Sequence, residues 1–284
     1  NYRPRIFKSS KYIEKNYEDD KIGIISKYNQ EGYRDARIIS DSIYRIDDKN
    51  LGIVINLDEG NKYHFRNITW VGNTKYDTAV LNKVFGIHKG DVYNKELLQT
   101  NLTYNEGGYD ISSLYMDDGY LFFRVDPVEV RVENDSIDME IRMYEGDQAT
   151  IGKVSVKGNT KTNDHVVVRE MYTKPGQLFS RSDVIRTTRE LAGVGYFNAE
   201  TLGPEIKPAP TDGTVDIEYM VEETSSDQIE LSAGWGYNSL ILTLGLTLNN
   251  FSLKNMFKKN AWNPIPGGDG QKLSLRVQTY GTQY

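Results

Sequence analysis

Three histidines and forty acidic residues are the groups in this chain best suited to proton transfer or metal binding. Their spacing supports neither. His64, His88 and His165 lie far apart and match no metal-ligand pattern. Carboxylates are plentiful, yet nothing in the sequence brings two of them to a shared pocket as a general acid and base. The stretch "GNTKT" from Gly158 has a superficial likeness to a phosphate loop but lacks the upstream glycine at the required distance. "IDDKN" and "NPIPGGDG" are rich in oxygen ligands, but neither has the calcium-loop spacing, and both read as turns. Nucleophile-elbow and dinucleotide fingerprints are missing as well. The sequence contains no cysteine, which removes thiol catalysis and disulfides. The expectation is a protein without catalytic residues, metal or cofactor. A net charge of −6 argues against nucleic acid as a partner.

Recognition without covalent chemistry needs surfaces, and the strands supply them. Near the carboxyl end, Ile229, Leu231, Ala233, Trp235 and Tyr237 alternate with Glu230, Ser232, Gly234, Gly236 and Asn238. The alternation resumes with Leu240, Leu242, Leu244, Leu246 and Leu248 against Ile241, Thr243, Gly245, Thr247 and Asn249. Period two places each set on one strand face. A turn at Asn238-Ser239 pairs Tyr237 with Leu240, Trp235 with Leu242 and Ile229 with Leu248, so all the apolar residues share a face. Leu273, Leu275 and Val277 continue the pattern in a third strand. Each of the first two arms has about the length of a tilted membrane-crossing strand, roughly 9–11 residues. A soluble sandwich with one face in its core fits the same alternation, but little chain remains to supply the opposing layer. Three strands cannot close a barrel, so the chain is expected to stop inside one. No apolar run approaches the eighteen or more residues of a membrane helix. "NYRPRIFKSS" has no signal-peptide core, which places residue 1 inside a longer precursor.

Upstream, the chain repeats itself. "ITWVGNTKYDTAVL" from Ile68 and "VSVKGNTKTNDHVV" from Val154 share a strand, a Gly-Asn-Thr-Lys turn and a helix start. Asp77 and Asn163 are the expected N-caps. Each copy continues through a second helix to a glycine C-cap followed by tyrosine, Gly119-Tyr120 and Gly195-Tyr196. Two strands close each unit, ending in "IDMEIRMYEG" and "TVDIEYMVEE". The same ending occurs earlier, from Gly32-Tyr33 to "NLGIVINLDEG". The fold class is α+β, with tandem strand-helix-helix-strand-strand units. Boundaries fall at 1–60 (incomplete), 61–146 and 147–223, with a hinge and strands over 224–284.

This order resembles the BamA family of outer-membrane insertases, whose periplasmic POTRA repeats precede a transmembrane β-barrel. The likeness is strongest at "SVKGNTKTNDHVVVREM", "ELSAGWGY" and "LGLTLNNFSLKNMF", and "GGDGQKLSL" looks most like the version found in Bacteroidota. By order, the units look like the third (truncated), fourth and fifth repeats, followed by the first three barrel strands. A TamA-like relative shares these features, and the family's Arg-Gly barrel-loop signature does not occur here. A surface adhesin of repeated modules is the competing class. The resemblance implies an outer-membrane location and repeats that bind unfolded barrel proteins and accessory lipoproteins. It also implies a barrel in contact with outer-membrane lipid that opens beside its first strand.

Site residues follow from the resemblance. The middle strand of each repeat would be the edge that accepts a client strand: Tyr120, Phe122, Arg124 and Val130 in one unit, and Tyr196, Asn198 and Ile206 in the next. Pro127, Pro204 and Pro208 suit edge positions, either to receive clients or to block aggregation. "VVVREM" matches a helix on which a glutamate meets a lipoprotein arginine, here Glu170 beside Arg169; read from the residues alone, Glu170 is a solvated charge. The gate strand would carry Ile229, Leu231, Ser232, Gly234, Trp235, Gly236 and Tyr237. Its glycines either weaken the seam or relieve crowding inside the barrel.

Overall fold

Each complete repeat opens with a strand that runs into a glycine packed against backbone. In the computed structural model, which describes residues 11–209, 213–225, 227–236, 239–259, 262 and 265–280, β3 (His64–Val71) ends at Gly72 and β6 (Thr150–Lys157) ends at Gly158. Both glycines have positive φ, 90° and 106°. A Cβ would lie 2.2 Å from the Met143 carbonyl oxygen at Gly72 and 1.9 Å from that of Val221 at Gly158. The shared turn therefore brings the chain onto the far end of the last strand of its own repeat. Only glycine fits there.

After the turn come the helices. Asp77 caps α2 (Thr78–Phe85) by accepting from the Val80 N–H. Asn94 and Ser180 do the same for α3 (Lys95–Thr103) and α6 (Arg181–Gly193). The middle repeat has three helices instead of the expected two. Asp110 accepts from the Asn105 and Ser113 N–H groups, so the chain turns there before starting α4 (Ile111–Met116). The last repeat has two, α5 (Asp164–Val168) and α6.

Strands β4 (Arg124–Glu133), β5 (Ser136–Tyr144), β7 (Gly203–Ala209) and β8 (Thr214–Met220) complete the sheets. The orders are β3-β5-β4 and β6-β8-β7, with the first strand parallel to the central one and the middle strand antiparallel. Apart from the additional helix α4, the two repeats share one topology. Alternation on the central strands puts Ile137, Met139 and Ile141, and likewise Val215, Ile217 and Tyr219, into the core. Burying one such side chain is worth about 1.5–3 kcal/mol, against roughly 0–1 kcal/mol for an exposed ion pair. The cores outweigh the surface charges.

The chain forms two compact units, residues 1–114 with 123–145, and 115–122 with 146–284. The first also holds α1 (Glu14–Gln30), β1 (Arg37–Arg45) and β2 (Leu51–Asp58), a helix followed by an antiparallel pair. This reproduces the ending of a repeat, with Gly32 at φ 100° after the helix. Arg34 bridges to Glu129 at 2.6 Å, and Tyr93 donates to the same carboxylate.

In the second unit, β9 (Gln228–Gly236), β10 (Ser239–Phe251) and β11 (Gln271–Tyr280) form an open antiparallel sheet in the order β11-β10-β9. The three strands do not close into a barrel. Their register differs from the expected one: Trp235 faces Leu240, and Leu231 faces Leu244. The slip is two residues, which leaves every apolar side chain on the expected face. Alternation fixes parity, and the turn sets the register. Of that expected turn, Asn238 lies outside the described residues.

Candidate client edges and sheet seam

An edge strand can pair with an incoming strand only through outward-facing backbone groups. β4 and β7 are indeed at the edges of their sheets, but they begin later than the sequence suggested. Tyr120 and Phe122 lie in the connection before β4, because the chain makes a further turn after Gly119. Arg124 is on the edge, its guanidinium 5.5 Å from the Tyr144 ring centroid. Val130 is also on the edge, but in a bulge between Glu129 and Arg131 that interrupts the ladder. In the last repeat, Tyr196 is a buried core residue stacked edge-on against Phe197. Asn198 is occupied internally: its N–H donates to the Glu222 carbonyl and its Oδ1 accepts from the Glu200 N–H. Ile206 sits on β7 opposite Ile217 and packs against the core. Of the seven expected edge residues, Arg124, Val130 and Ile206 lie on edge strands.

The prolines separate the two edges. A proline on an edge strand points its missing N–H outward, and residues two apart point the same way. Pro204 and Pro208 flank Ile206 on β7, leaving that stretch one outward donor. β4 carries the single proline Pro127. β4 thus lacks one edge donor to proline where β7 lacks two.

β9 is the third candidate edge. Ile229, Leu231 and Trp235 are 78%, 81% and 76% exposed on one face. Leu244, Leu275 and Val277 continue that apolar face on the neighbouring strands. The opposite face is polar: Ser232 faces Thr243, Thr247 meets Ser274 at 3.1 Å, and Glu230 pairs with Arg276. A Cβ at Gly234 would meet nothing within 4 Å, so crowding among the described residues does not account for that glycine. Gly236 ends the strand, and Tyr237 lies outside the described residues.

A set of contacts absent from the sequence reading centres on the Gly-Asn-Thr turns. Glu145 accepts from the N–H groups of Thr74 and Lys75 and from the Thr74 hydroxyl. Glu223 accepts from Thr160, Lys161 and Thr162 in the same way. Burial alone would raise the Glu223 carboxyl, but these donors hold it below the usual carboxylate range. The signal was visible as a glutamate two residues beyond the carbonyl that each turn glycine packs against.

Asn163 departs from the pattern. It occupies the N-cap of α5 without a capping bond. Its side chain instead donates to the Gly268 carbonyl at 3.1 Å and to Asp269 at 2.8 Å, and its N–H donates to Gly268 at 2.9 Å. Asn250 on β10 donates to the Thr162 hydroxyl at 2.8 Å. The Ser252 hydroxyl, with the Asn163 amide, holds the Asp269 carboxyl below its ordinary range. The end of β10 and residues 268–269 before β11 are thus latched to the last repeat.

Comparison with known proteins decides what these repeats are. The family model POTRA, surface antigen variable number repeat, matches residues 63–146 and 149–224. The chain belongs to the POTRA family. Each POTRA match spans one three-stranded sheet and its helices, three in the middle repeat and two in the last.

The POTRA chain is 27% identical over 281 residues to a Treponema pallidum (strain Nichols) protein named "Putative outer membrane protein assembly factor", covering 95% of this chain and 33% of that protein. It is 24% identical over 251 residues to the outer membrane protein assembly factor BamA of Neisseria meningitidis serogroup B (strain ATCC BAA-335 / MC58), covering 86% and 30%. It spans about a third of the length of these relatives. Among solved structures, POTRA3-5 of Haemophilus influenzae BamA aligns with a TM-score of 0.59 at 23% identity, covering 76% of this chain and 83% of that one. Haemophilus ducreyi BamA lacking POTRA domains 1-3 aligns with a TM-score of 0.62 at 23% identity, covering 77% and 37%. Both support the fold. The protein is an outer-membrane protein with its POTRA repeats in the periplasm.

The remaining expected site lies in the last POTRA repeat. Arg169 is the C-cap of α5, so Glu170, expected on that helix, lies two residues beyond its last residue, Val168. The two bind each other, Arg169 Nε to Glu170 Oε1 at 2.7 Å. The Glu170 carboxylate raises the Arg169 guanidinium above its ordinary pKa. A partner's arginine would have to share or replace that pair. The three histidines stay apart, at the start of β3, beside Asp91 and on α5. Among the described residues, no three His, Cys, Asp or Glu side chains gather as metal ligands.

Proposed function

We propose that this chain is the membrane-proximal part of an outer-membrane protein assembly factor. The POTRA repeats hold unfolded barrel proteins and accessory lipoproteins, and the strand sheet starts a transmembrane barrel whose first strand templates insertion. One observation carries the reading. Directly after the last POTRA repeat, β9 presents an unpaired edge, an apolar face in phase across three strands and a polar face behind it. That division suits a strand between lipid and a hydrated lumen. Backbone pairing at the edge needs no particular client side chain, which fits a template for many sequences. Glycines at 234 and 236 favour a seam that opens, since glycine weakens a strand by about 0.5–1 kcal/mol relative to alanine.

The names of the relatives support the same role, since those proteins are called outer membrane protein assembly factors. β4 serves as the client edge of the repeats, and Glu170 as the contact for a lipoprotein. The test replaces Ser232 with cysteine in the full-length protein and pairs it with cysteines along the last strand of a stalled client. Crosslinking should rise and fall with register, because pairing alternates along the strand. Uniform crosslinking along the client, or none in a protein that still inserts clients, would overturn the assignment.

A further inference from the structure

The segment after β10 has a second property, independent of its latch. Ten residues from Leu253 to Trp262, "LKNMFKKNAW", contain three lysines and no acid, in a chain whose net charge is −6. The overall charge conceals this basic stretch. Phe257 is 80% exposed, Leu253 55% and Trp262 53%, with Met256 partly exposed beside them. Lys254, Lys258 and Lys259 are exposed as well, and Lys258 and Lys259 enter no ion pair among the described residues.

These side chains are held outward by an ordered frame. Ser252, fully buried, donates its hydroxyl to Asp269 at 2.5 Å and its N–H to the Pro266 carbonyl at 2.9 Å. Asn255 donates to the Gly267 carbonyl, and its N–H donates to the Ser252 hydroxyl. Two turns follow, Met256 N–H to Leu253 and Lys258 N–H to Asn255. Trp262 donates its indole N–H to the Met256 carbonyl at 3.1 Å. The indole's single donor is therefore satisfied before any partner arrives, and covering the ring strands no polar group.

We infer that Leu253, Met256, Phe257 and Trp262 form an interfacial anchor seated among phospholipid headgroups, with Lys254, Lys258 and Lys259 on anionic lipid. The alternation of lysine with large apolar side chains is the chemistry of a bilayer surface, where aliphatic stems and rings go in and ammonium groups stay at the phosphates. Placement agrees. The loop leaves the end of β10 that lies beside the last repeat, so it continues the apolar sheet face to where a membrane-crossing strand would exit on the repeat side. This rests on the reading that the sheet lies in the membrane.

The experiment keeps the two apart. In the full-length protein carrying no other cysteine, a small apolar fluorophore is attached at Phe257→Cys or, as reference, at Leu231→Cys. Each protein is reconstituted in bilayers containing phosphatidylglycerol and nitroxide lipids labelled at the headgroup or deep in the acyl chain. The label at 257 should be quenched by headgroup nitroxides and little by deep ones, and the label at 231 by acyl-chain nitroxides. Adding K254E, K258E and K259E together should free the 257 label, at about fivefold in the seated-to-free ratio per lysine. An unquenched label at 257 beside a quenched one at 231 overturns the anchor and leaves the sheet in the membrane. No quenching at either position overturns the membrane reading of the sheet itself. A 257 label that is shielded only on adding a periplasmic protein would make the loop a protein surface, which also overturns the proposal.

Discussion

Replacing Gly158 with alanine separates two costs that a glycine can hide. Gly158 and Gly195 both have positive φ, 106° and 84°, so alanine at either position pays the backbone penalty of about 1–2 kcal/mol. They differ in space. A Cβ at Gly195 meets nothing within 4 Å, whereas at Gly158 it falls 1.9 Å from the Val221 carbonyl oxygen. The end of β8 would have to retreat by roughly an ångström and a half to restore ordinary contact, taken as 3.4 Å. That retreat breaks the 2.9 Å bond from the Val221 N–H to the Lys157 carbonyl and pulls Glu223 off the turn. Stranding a buried N–H costs about 1–3 kcal/mol. Gly158→Ala should therefore lower the local stability of the last repeat by about 2–5 kcal/mol, and Gly195→Ala by about 1–2 kcal/mol. Hydrogen exchange of the β8 amides, read by mass spectrometry on the whole chain, measures this region alone, which a multidomain melt cannot do. Equal losses for the two variants would refute the close approach and the turn geometry built on it.

Three further outcomes follow from the same contacts. Glu223→Gln should flatten the acid limb of stability in the last repeat. A depressed folded pKa contributes fully above the usual carboxylate value of 4.5 and is lost as pH falls through the lower folded value, so wild type and variant should converge below pH 4.5 in pH-resolved exchange. Asp77→Ala and Asn163→Ala occupy matching repeat positions but should fail differently. The first should fray α2 by about 1 kcal/mol, while the second should speed exchange at Gly268 and Gly270 with little effect on α5. Glu170→Lys should weaken copurification of an accessory lipoprotein and leave the exchange of β8 unchanged; identical partner recovery at the same salt would make Glu170 a solvated charge only.

Much of the fold was legible because glycine and alternation report local constraints. Gly72 and Gly158 announced a turn that no other residue fits, and the period-two pattern assigned the faces of β9 and β10 correctly. What the pattern could not give was the register, since a slip of two residues preserves every face. Asn163 shows a second kind of limit. Its sequence context is that of an N-cap, but a carbonyl more than a hundred positions away competes for its amide and wins. Tyr196 shows a third. A Gly-Tyr exit reads as the start of an edge strand, but the extra turn places the ring in the core and delays β7 to Gly203. Local chemistry was readable, and long-range competition for the same groups was not.

The latch between Asn163 and Gly268 gives the sheet a second attachment to the last repeat besides the covalent one. A body attached by one flexible peptide can swivel; attached at two separated points, it must break one of them to turn. The covalent pin enters β9, and the hydrogen-bonded pin holds the far end of β10 and the loop beyond it. At about 0.5–1.5 kcal/mol net per hydrogen bond, the second pin resists a swing of the repeat by only a few kcal/mol. A change of angle between the last repeat and the sheet would therefore have to strain or break the bonds at the end of β10 as well as bend the chain before β9.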